Sequence, residues 1–270
     1  MTVPPRHPGH PDPFSPGDKV LLYDRKGRRY LLTLAPGAEF HFHGGAVAHD
    51  DILGRPEGSS LRSAKGATLL AVRPTAADWT VKAPRGAQVV YPKDQAMILG
   101  LADIGPGVTV VEAGAGSGAL SSALLRAVGP TGRVISFELR PEHAAVAQRN
   151  VHERFGGPPD NWDLHIGDVG ERLGATPCDR LVLDLVDPWE LLGPAAEALR
   201  PGGILISYTP TVPQIMRLHE GLAADARWGM AQTTETMVRG WHVDGLAVRP
   251  DHRMVAHTAF LTTARRLSPE

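Results

Sequence analysis

Apolar and polar residues alternate through the first part of the chain in short bursts bounded by turn residues. Val20-Leu21-Leu22-Tyr23 ends at Asp24-Arg25-Lys26-Gly27, and Tyr30-Leu31-Leu32-Thr33-Leu34 ends at Pro36-Gly37. Glu39-Phe40-His41-Phe42-His43 runs into Gly44-Gly45, and Thr68-Leu69-Leu70-Ala71-Val72 into Arg73-Pro74. Strands of this length and spacing predict a small β-barrel or β-meander over 16–75. No stretch before Val90 carries a sustained helical period.

The pattern then changes. Thr109-Val110-Val111 reads as a short buried strand, followed by an amphipathic stretch over 118–128. Residues 133–138 read as a strand, and Pro141 opens a helix with Ala144, Ala147, Val151 and Phe155 at three- and four-residue spacing. Proline fits the first helical position because its missing N–H would be unpaired there. Further strands are predicted at 164–166, 180–185 and 203–208, with helices at 189–199 and 212–223. Such alternation predicts an α/β domain over 76–270 with right-handed crossovers and a mostly parallel sheet. Residues 230–238 and 255–265 are two strand-like runs, expected to close that sheet as an antiparallel hairpin.

Composition narrows the setting. The 270 residues suffice for a self-supporting core. A single cysteine, Cys178, leaves no intrachain disulfide and points to a reducing, cytoplasmic environment. No apolar run approaches the roughly 20 residues that span a bilayer. Residues 1–15 are Pro/His-rich without the apolar core of a signal peptide, and are expected to be a disordered lead-in. Taken as a total, the net charge of −1 speaks against a nucleic-acid partner. Resolved along the chain it does not: residues 1–90 carry twelve Lys/Arg against eight Asp/Glu, and 91–270 sixteen against twenty-one.

The chemistry centres on Val110-Val111-Glu112-Ala113-Gly114-Ala115-Gly116-Ser117-Gly118-Ala119-Leu120, where a strand enters Gly-x-Gly-x-Gly and then a helix. Glycine suits a tight turn with a ligand against bare backbone, and the helix N-terminus offers free N–H groups. Glu138 ends the next strand, positioned for the two hydroxyls of a ribose, and Asp168 follows a third strand, positioned for a purine edge. This rim suits either NAD or S-adenosylmethionine. Glu112 inside the loop signature would repel a pyrophosphate but not a sulfonium, and a terminal antiparallel hairpin is how methyltransferase sheets end.

Several separated motifs, Phe42-His43-Gly44-Gly45 with His49-Asp50, Tyr91-Pro92-Lys93-Asp94, Glu112 to Leu120, Leu183-Asp184-Leu185 with Pro188-Trp189, and Gly240-Trp241 with His257-Thr258-Ala259-Phe260-Leu261, resemble the tRNA (adenine-N1)-methyltransferases acting at position 58, with the actinobacterial type in particular. The resemblance implies a small N-terminal β-domain, a class I methyltransferase domain of Rossmann-like fold, S-adenosylmethionine as cofactor, a tRNA substrate and a homotetramer. It further implies a cofactor pocket formed by Gly114, Gly116, Ser117, Gly118, Ala119, Leu120, Glu138, His143, Asp168 and Asp184. His143 is either a ribose ligand or a solvated residue on its helix.

Asp184 follows Leu181-Val182-Leu183 at a strand's carboxyl end. It is placed either to accept from the exocyclic amino group of adenine as N1 gains charge, or to hold the methionine amino group. Tyr91 and Trp189 are candidates to stack on an extracted adenine, and Trp189 reads equally as a core aromatic. Asp187 ranks below Asp184. A further class I methyltransferase, acting on isoaspartyl protein or on a small molecule, is the alternative. NAD-dependent hydride transfer and a non-catalytic RNA-binding module fit the rim less well.

Other features carry less. His41, His43 and His49 with Asp50 and Asp51 suggest a metal only superficially, since no cysteine joins them and methyl transfer needs no Lewis acid. No metal and no membrane contact are expected. Cys178 has no histidine partner nearby and no expected catalytic role. Arg25, Lys26, Arg28 and Arg29 at a hairpin turn are candidates for RNA phosphates. Residues 239–254, with Arg239, His242, Arg249 and Arg253, suit either a substrate cleft or a subunit contact.

Overall fold

The computed structural model describes residues 13–86 and 88–268, which divide into two compact units, Met1–Lys82 and Ala83–Glu270. In the first unit, β1 (Lys19–Asp24), β2 (Arg29–Thr33), β3 (Glu39–Phe42), β4 (Gly45–Ala48), β5 (Ser59–Arg62) and β6 (Thr68–Val72) precede the helix α1 (Ala76–Lys82). The sheet order is β2-β1-β6-β5, antiparallel throughout, and β3 and β4 form a separate hairpin. Val20, Leu22, Leu61, Leu69 and Ala71 project from it into a core shared with Leu34, Val47 and Ile52.

Two expectations change here. Phe14 belongs to this core at 2% exposure, exchanges backbone hydrogen bonds with Arg55 and Gly54, and carries the Arg73 guanidinium 4.8 Å over its ring. The lead-in expected over 1–15 therefore does not extend through Phe14, and residues 1–12 lie outside the described residues. The seven-residue α1 has no counterpart in the sequence pattern because it is too short to show a period. A reciprocal cap holds it: Thr75 Oγ1 donates to Asp78 Oδ2 at 2.6 Å, and the Asp78 N–H donates back to Thr75 Oγ1. Asp78 also takes Arg29 at 2.9 Å, so α1 groups with the β-strands and the division falls after Lys82 rather than after Thr75.

In the second unit the elements are α2 (Pro92–Leu101), β7 (Thr109–Ala113), α3 (Ala119–Val128), β8 (Arg133–Glu138), α4 (Pro141–Phe155), β9 (Trp162–Ile166), β10 (Cys178–Leu183), α5 (Leu192–Ala198), β11 (Leu199–Thr209), α6 (Val212–Ala224), β12 (Trp228–Glu235), β13 (Trp241–Asp244), β14 (Ala247–Pro250) and β15 (Phe260–Arg266). The main sheet has the order β12-β15-β11-β10-β7-β8-β9, with β15 antiparallel to both β11 and β12 and the other neighbours parallel. Alternate strand residues serve two apolar layers, Leu181 and Leu183 one and Val182 the other. This is the expected class I methyltransferase architecture with its terminal antiparallel pair. The addition is β13–β14, a separate hairpin between β12 and β15 whose residues are mostly exposed.

The chain leaves β7 toward β8 and β9 on one side, then returns through β10 to β11 on the other. The crevice between the ends of β7 and β10 is thus the topological switch point, where open α/β sheets bind ligands.

Candidate active site

The turn after β7 is wedged between two elements. Gly114 has φ +95°, and a Cβ there would meet the carbonyl oxygen of Asp184 at 2.3 Å. Gly118, at φ +75°, caps α3, and its Cβ would lie 2.8 Å from the Ala147 carbonyl and 2.9 Å from a Val151 methyl on α4. Bare backbone lets the loop sit tight on both sides. A crevice opens beside it, lined by Val89 and Val90, by Gly114, Gly116, Ser117, Ala119 and Leu120, and by Asp184.

Glu138, 5% exposed at the end of β8, accepts from the Gly116 N–H at 2.9 Å through Oε2 and from the Arg140 N–H at 3.0 Å through Oε1. It holds the loop from beneath rather than lining the cavity. Asp168 is exposed, and its Oδ1 accepts from the Gly170 N–H at 2.8 Å to cap a short 3-10 turn. His143 lies in the first turn of α4, partly exposed, and its Nδ1 has no hydrogen-bond partner among the described residues. Gly118, Glu138, His143 and Asp168 thus stand around the cavity's lining rather than in it.

Asp184 comes directly after β10, and its N–H donates to the Ala113 carbonyl at 2.9 Å. Burial, with the Glu138 charge second, pushes its carboxyl up to about 7. Glu112 departs from its expected position. Its carboxylate is fully buried, and Oε2 accepts from Ser121 on α3 and Ser136 on β8, each at 2.6 Å. It therefore braces the loop's two flanking elements instead of facing a ligand. Burial raises it to about 7, the serine hydroxyls opposing, with Asp184 and Glu138 adding to the rise. Three mutually repelling carboxyl groups around one glycine loop disfavour a pyrophosphate and favour a cationic ligand.

A second polar cluster was not foreseen, although its residues stand in recognised motifs. Lys93 Nζ donates to Asp94 Oδ1 at 2.7 Å and to Thr258 Oγ1 at 2.6 Å, and Thr258 Oγ1 donates to Asp94 Oδ2 at 2.6 Å. Asp94 has no exposed surface and the Lys93 side chain only 6%. Adjacent opposite charges in the first turn of α2, where an exposed pair is the usual reading, gave no sign of this burial. Tyr91 is the N-cap of α2, and its carbonyl accepts from the Asp94 and Gln95 N–H groups at 2.9 Å.

The family model described as the tRNA methyltransferase complex GCD14 subunit matches residues 68–247, and one described as TrmI-like N-terminal matches residues 13–61. The chain belongs to the tRNA (adenine-N1)-methyltransferase family. The tRNA (adenine(58)-N(1))-methyltransferase TrmI of Thermus thermophilus is 39% identical over 92% of this chain and 96% of its own. The tRNA (adenine(57)-N(1)/adenine(58)-N(1))-methyltransferase TrmI of Methanocaldococcus jannaschii is 36% identical over 91% and 94%. Among solved structures, the tRNA (m1A58) methyltransferase TrmI of Aquifex aeolicus superposes with a TM-score of 0.85 at 26% identity, covering 96% of this chain and all of that one. A protein of Thermotoga maritima described as a SAM-dependent O-methyltransferase gives 0.90 at 29% identity, covering 96% of each chain. The cofactor of this methyltransferase is S-adenosylmethionine, which suits the glycine cradle, the open α3 N-terminus and the surrounding carboxylates.

Within the second unit, Trp189, Asp187 and Cys178 are not part of the lining. Trp189 packs on the core, with the Arg217 guanidinium 5.4 Å over its ring, which is the core-aromatic reading. Asp187 is exposed ahead of a short 3-10 turn. Cys178 is buried at the start of β10, and burial pushes its thiol up to about 12. The three histidines separate: His41 is exposed near Glu39, His43 contacts Arg28 and Tyr30, and the buried His49 accepts from the Ala35 N–H. Arg28 is drawn back onto Asp24 at 2.7 Å and Arg29 onto Asp78, so these two are engaged within their own unit.

Proposed function

We infer that this protein transfers the methyl group of S-adenosylmethionine to N1 of adenine 58 in tRNA. The observation that carries the assignment of roles is Asp184, an acid raised toward neutrality at the switch point and in backbone contact with the glycine loop. The cofactor supplies a methyl on a sulfonium, and the departing thioether is neutral, so no acid is needed for it. What remains for the chain is alignment.

Adenine N1 is a weak nucleophile whose lone pair lies in the ring plane and faces its pairing partner. The base has to leave that pairing to reach the methyl. In this reading Asp184 accepts from the exocyclic amino group, whose acidity grows as N1 becomes positive, so the bond strengthens toward the transition state. Tyr91 offers a face for the extracted base. Glu138 and the loop from Gly114 to Leu120 seat the cofactor, with His143 and Asp168 reaching its ribose and adenine. Proximity and orientation then supply most of the rate.

The same reading includes a homotetramer working on tRNA in the cytoplasm. Trp241, Val243, Leu246 and Val248 on the β13–β14 hairpin are each more than half exposed, an apolar patch suited to a second copy. Light scattering that returned a monomer mass would remove this part alone. The enzyme itself is tested by incubating it with labelled S-adenosylmethionine and unmodified tRNA, then analysing nucleosides by position. Label in 1-methyladenosine at 58 supports the reading, label at 57 extends it, and label only in protein or small molecules overturns it.

A further inference from the structure

The Lys93–Asp94–Thr258 cluster is costly as a device for stability alone. Burying two charges carries a desolvation cost on each ion, and apolar replacements of such pairs are often neutral or better. What the cluster supplies is direction. The hydroxyl proton of Thr258 goes to Asp94 Oδ2, while its oxygen accepts from Lys93. The first turn of α2 and the segment before β15 therefore meet at one oxygen.

Each element leads to the cleft. Asp94 and Gln95 donate to the Tyr91 carbonyl, so the cluster and Tyr91 share one turn of α2. Tyr208, 7% exposed near the end of β11, stands opposite Leu261 on β15. Its neighbour Ser207 is opposite Leu183, the residue before Asp184. Tyr208 belongs to the same buried apolar layer as Val90, which lines the cleft, and Ile98 of α2. Thr258 follows His257, which bonds Glu235 and the Pro210 carbonyl, so the segment before β15 is fixed on both sides.

We propose that Asp94, Lys93 and Thr258 are positioning residues that set Tyr91 and Tyr208 opposite Asp184, holding the wall against which the target adenine is aligned. This rests on the adenine reading of the Asp184 cleft. The cluster does not touch the glycine cradle, so cofactor binding stays intact while turnover depends on it.

The test uses the full-length enzyme with unmodified tRNA. Thr258→Val keeps the shape and removes the hydroxyl, Thr258→Ser restores it, and Asp94→Asn removes the charge. The expected result is a fall of about tenfold or more in kcat for Thr258→Val and Asp94→Asn. KM for S-adenosylmethionine should stay within about twofold of wild type, and Thr258→Ser should recover most of kcat. Wild-type kcat in Thr258→Val, or a loss that Thr258→Ser fails to recover, overturns the proposal. Asp184→Ala is run alongside: wild-type turnover there would overturn the adenine reading itself, whereas an inactive Asp184→Ala beside a fully active Asp94→Asn would overturn the positioning role alone.

Discussion

Gly114 and Asp184 touch backbone to backbone: a single methyl on the glycine would come within 2.3 Å of the aspartate carbonyl oxygen. The loop after β7 and the end of β10 are therefore one rigid unit. The residue that cradles the cofactor also fixes where the acid toward the substrate begins. Cofactor seating and substrate alignment are mechanically linked at this contact.

Gly114→Ala should lose both. The added methyl meets backbone, which cannot swing aside, and φ +95° is itself strained for alanine. Affinity for S-adenosylmethionine, measured by calorimetry, should fall about tenfold or more, in line with the 1–3 kcal/mol typical of such strain. Unchanged affinity would show that the loop relaxes freely and that the link to Asp184 does not exist.

Asp184→Ala should separate the two functions. The backbone contacts survive, so the fold and the melting temperature should be retained. Methyl transfer should fall by about two orders of magnitude or more, the scale of losing one electrostatic group aimed at a transition state. Near-normal turnover by a folded Asp184→Ala protein would end the assignment.

Glu138→Gln tests the support beneath the loop. The amide retains an oxygen for the Gly116 N–H but loses the charge and one of the two acceptors now used. KM for S-adenosylmethionine should rise about tenfold with a smaller change in kcat, the size expected for a charge-assisted hydrogen bond. A pure kcat effect would instead place Glu138 at the reacting atoms.

The glycine loop, the strand ends bearing Glu138, Asp168 and Asp184, and the closing antiparallel pair were all legible in the sequence, because period and turn chemistry are local signals. Three things were not. The inward turn of Glu112 depends on which face of β7 meets Ser121 and Ser136, and those partners lie 9 and 24 residues away. The Lys93–Asp94–Thr258 cluster joins residues 164 and 165 apart, so nothing local announces it. Phe14 sits in a Pro-rich run that reads as coil, and only its contacts with Arg55 and Arg73 show that it is core.

Glu112 should give the protein a pH-dependent stability. Its carboxyl titrates at about 7 when folded against an ordinary value of 4.5, so between those values the folded state binds the extra proton. Stability from this group therefore falls as pH rises from about 4.5 to 7, by up to about 1.4 kcal/mol per pH unit. Glu112→Gln should flatten that slope in urea unfolding followed between pH 5 and 8. An equal slope in wild type and variant would mean that Glu112 is ionised throughout.

His257 should shift stability in the same sense. Both ring nitrogens have acceptors, the Pro210 carbonyl at 2.8 Å and Glu235 at 2.7 Å, and these raise its pKa above 6.5, with Lys93 opposing. A raised histidine stabilises the fold fully below its unfolded value, and that contribution disappears as pH rises through the folded value. The ring's NMR titration should have its midpoint above 6.5, and Glu235→Gln should lower it. Because His257 precedes Thr258, the same loss of charge should loosen the segment before β15, read as faster amide exchange at Thr258 at high pH. A midpoint at or below 6.5 would mean that the imidazolium does not bridge β12 to the end of β11.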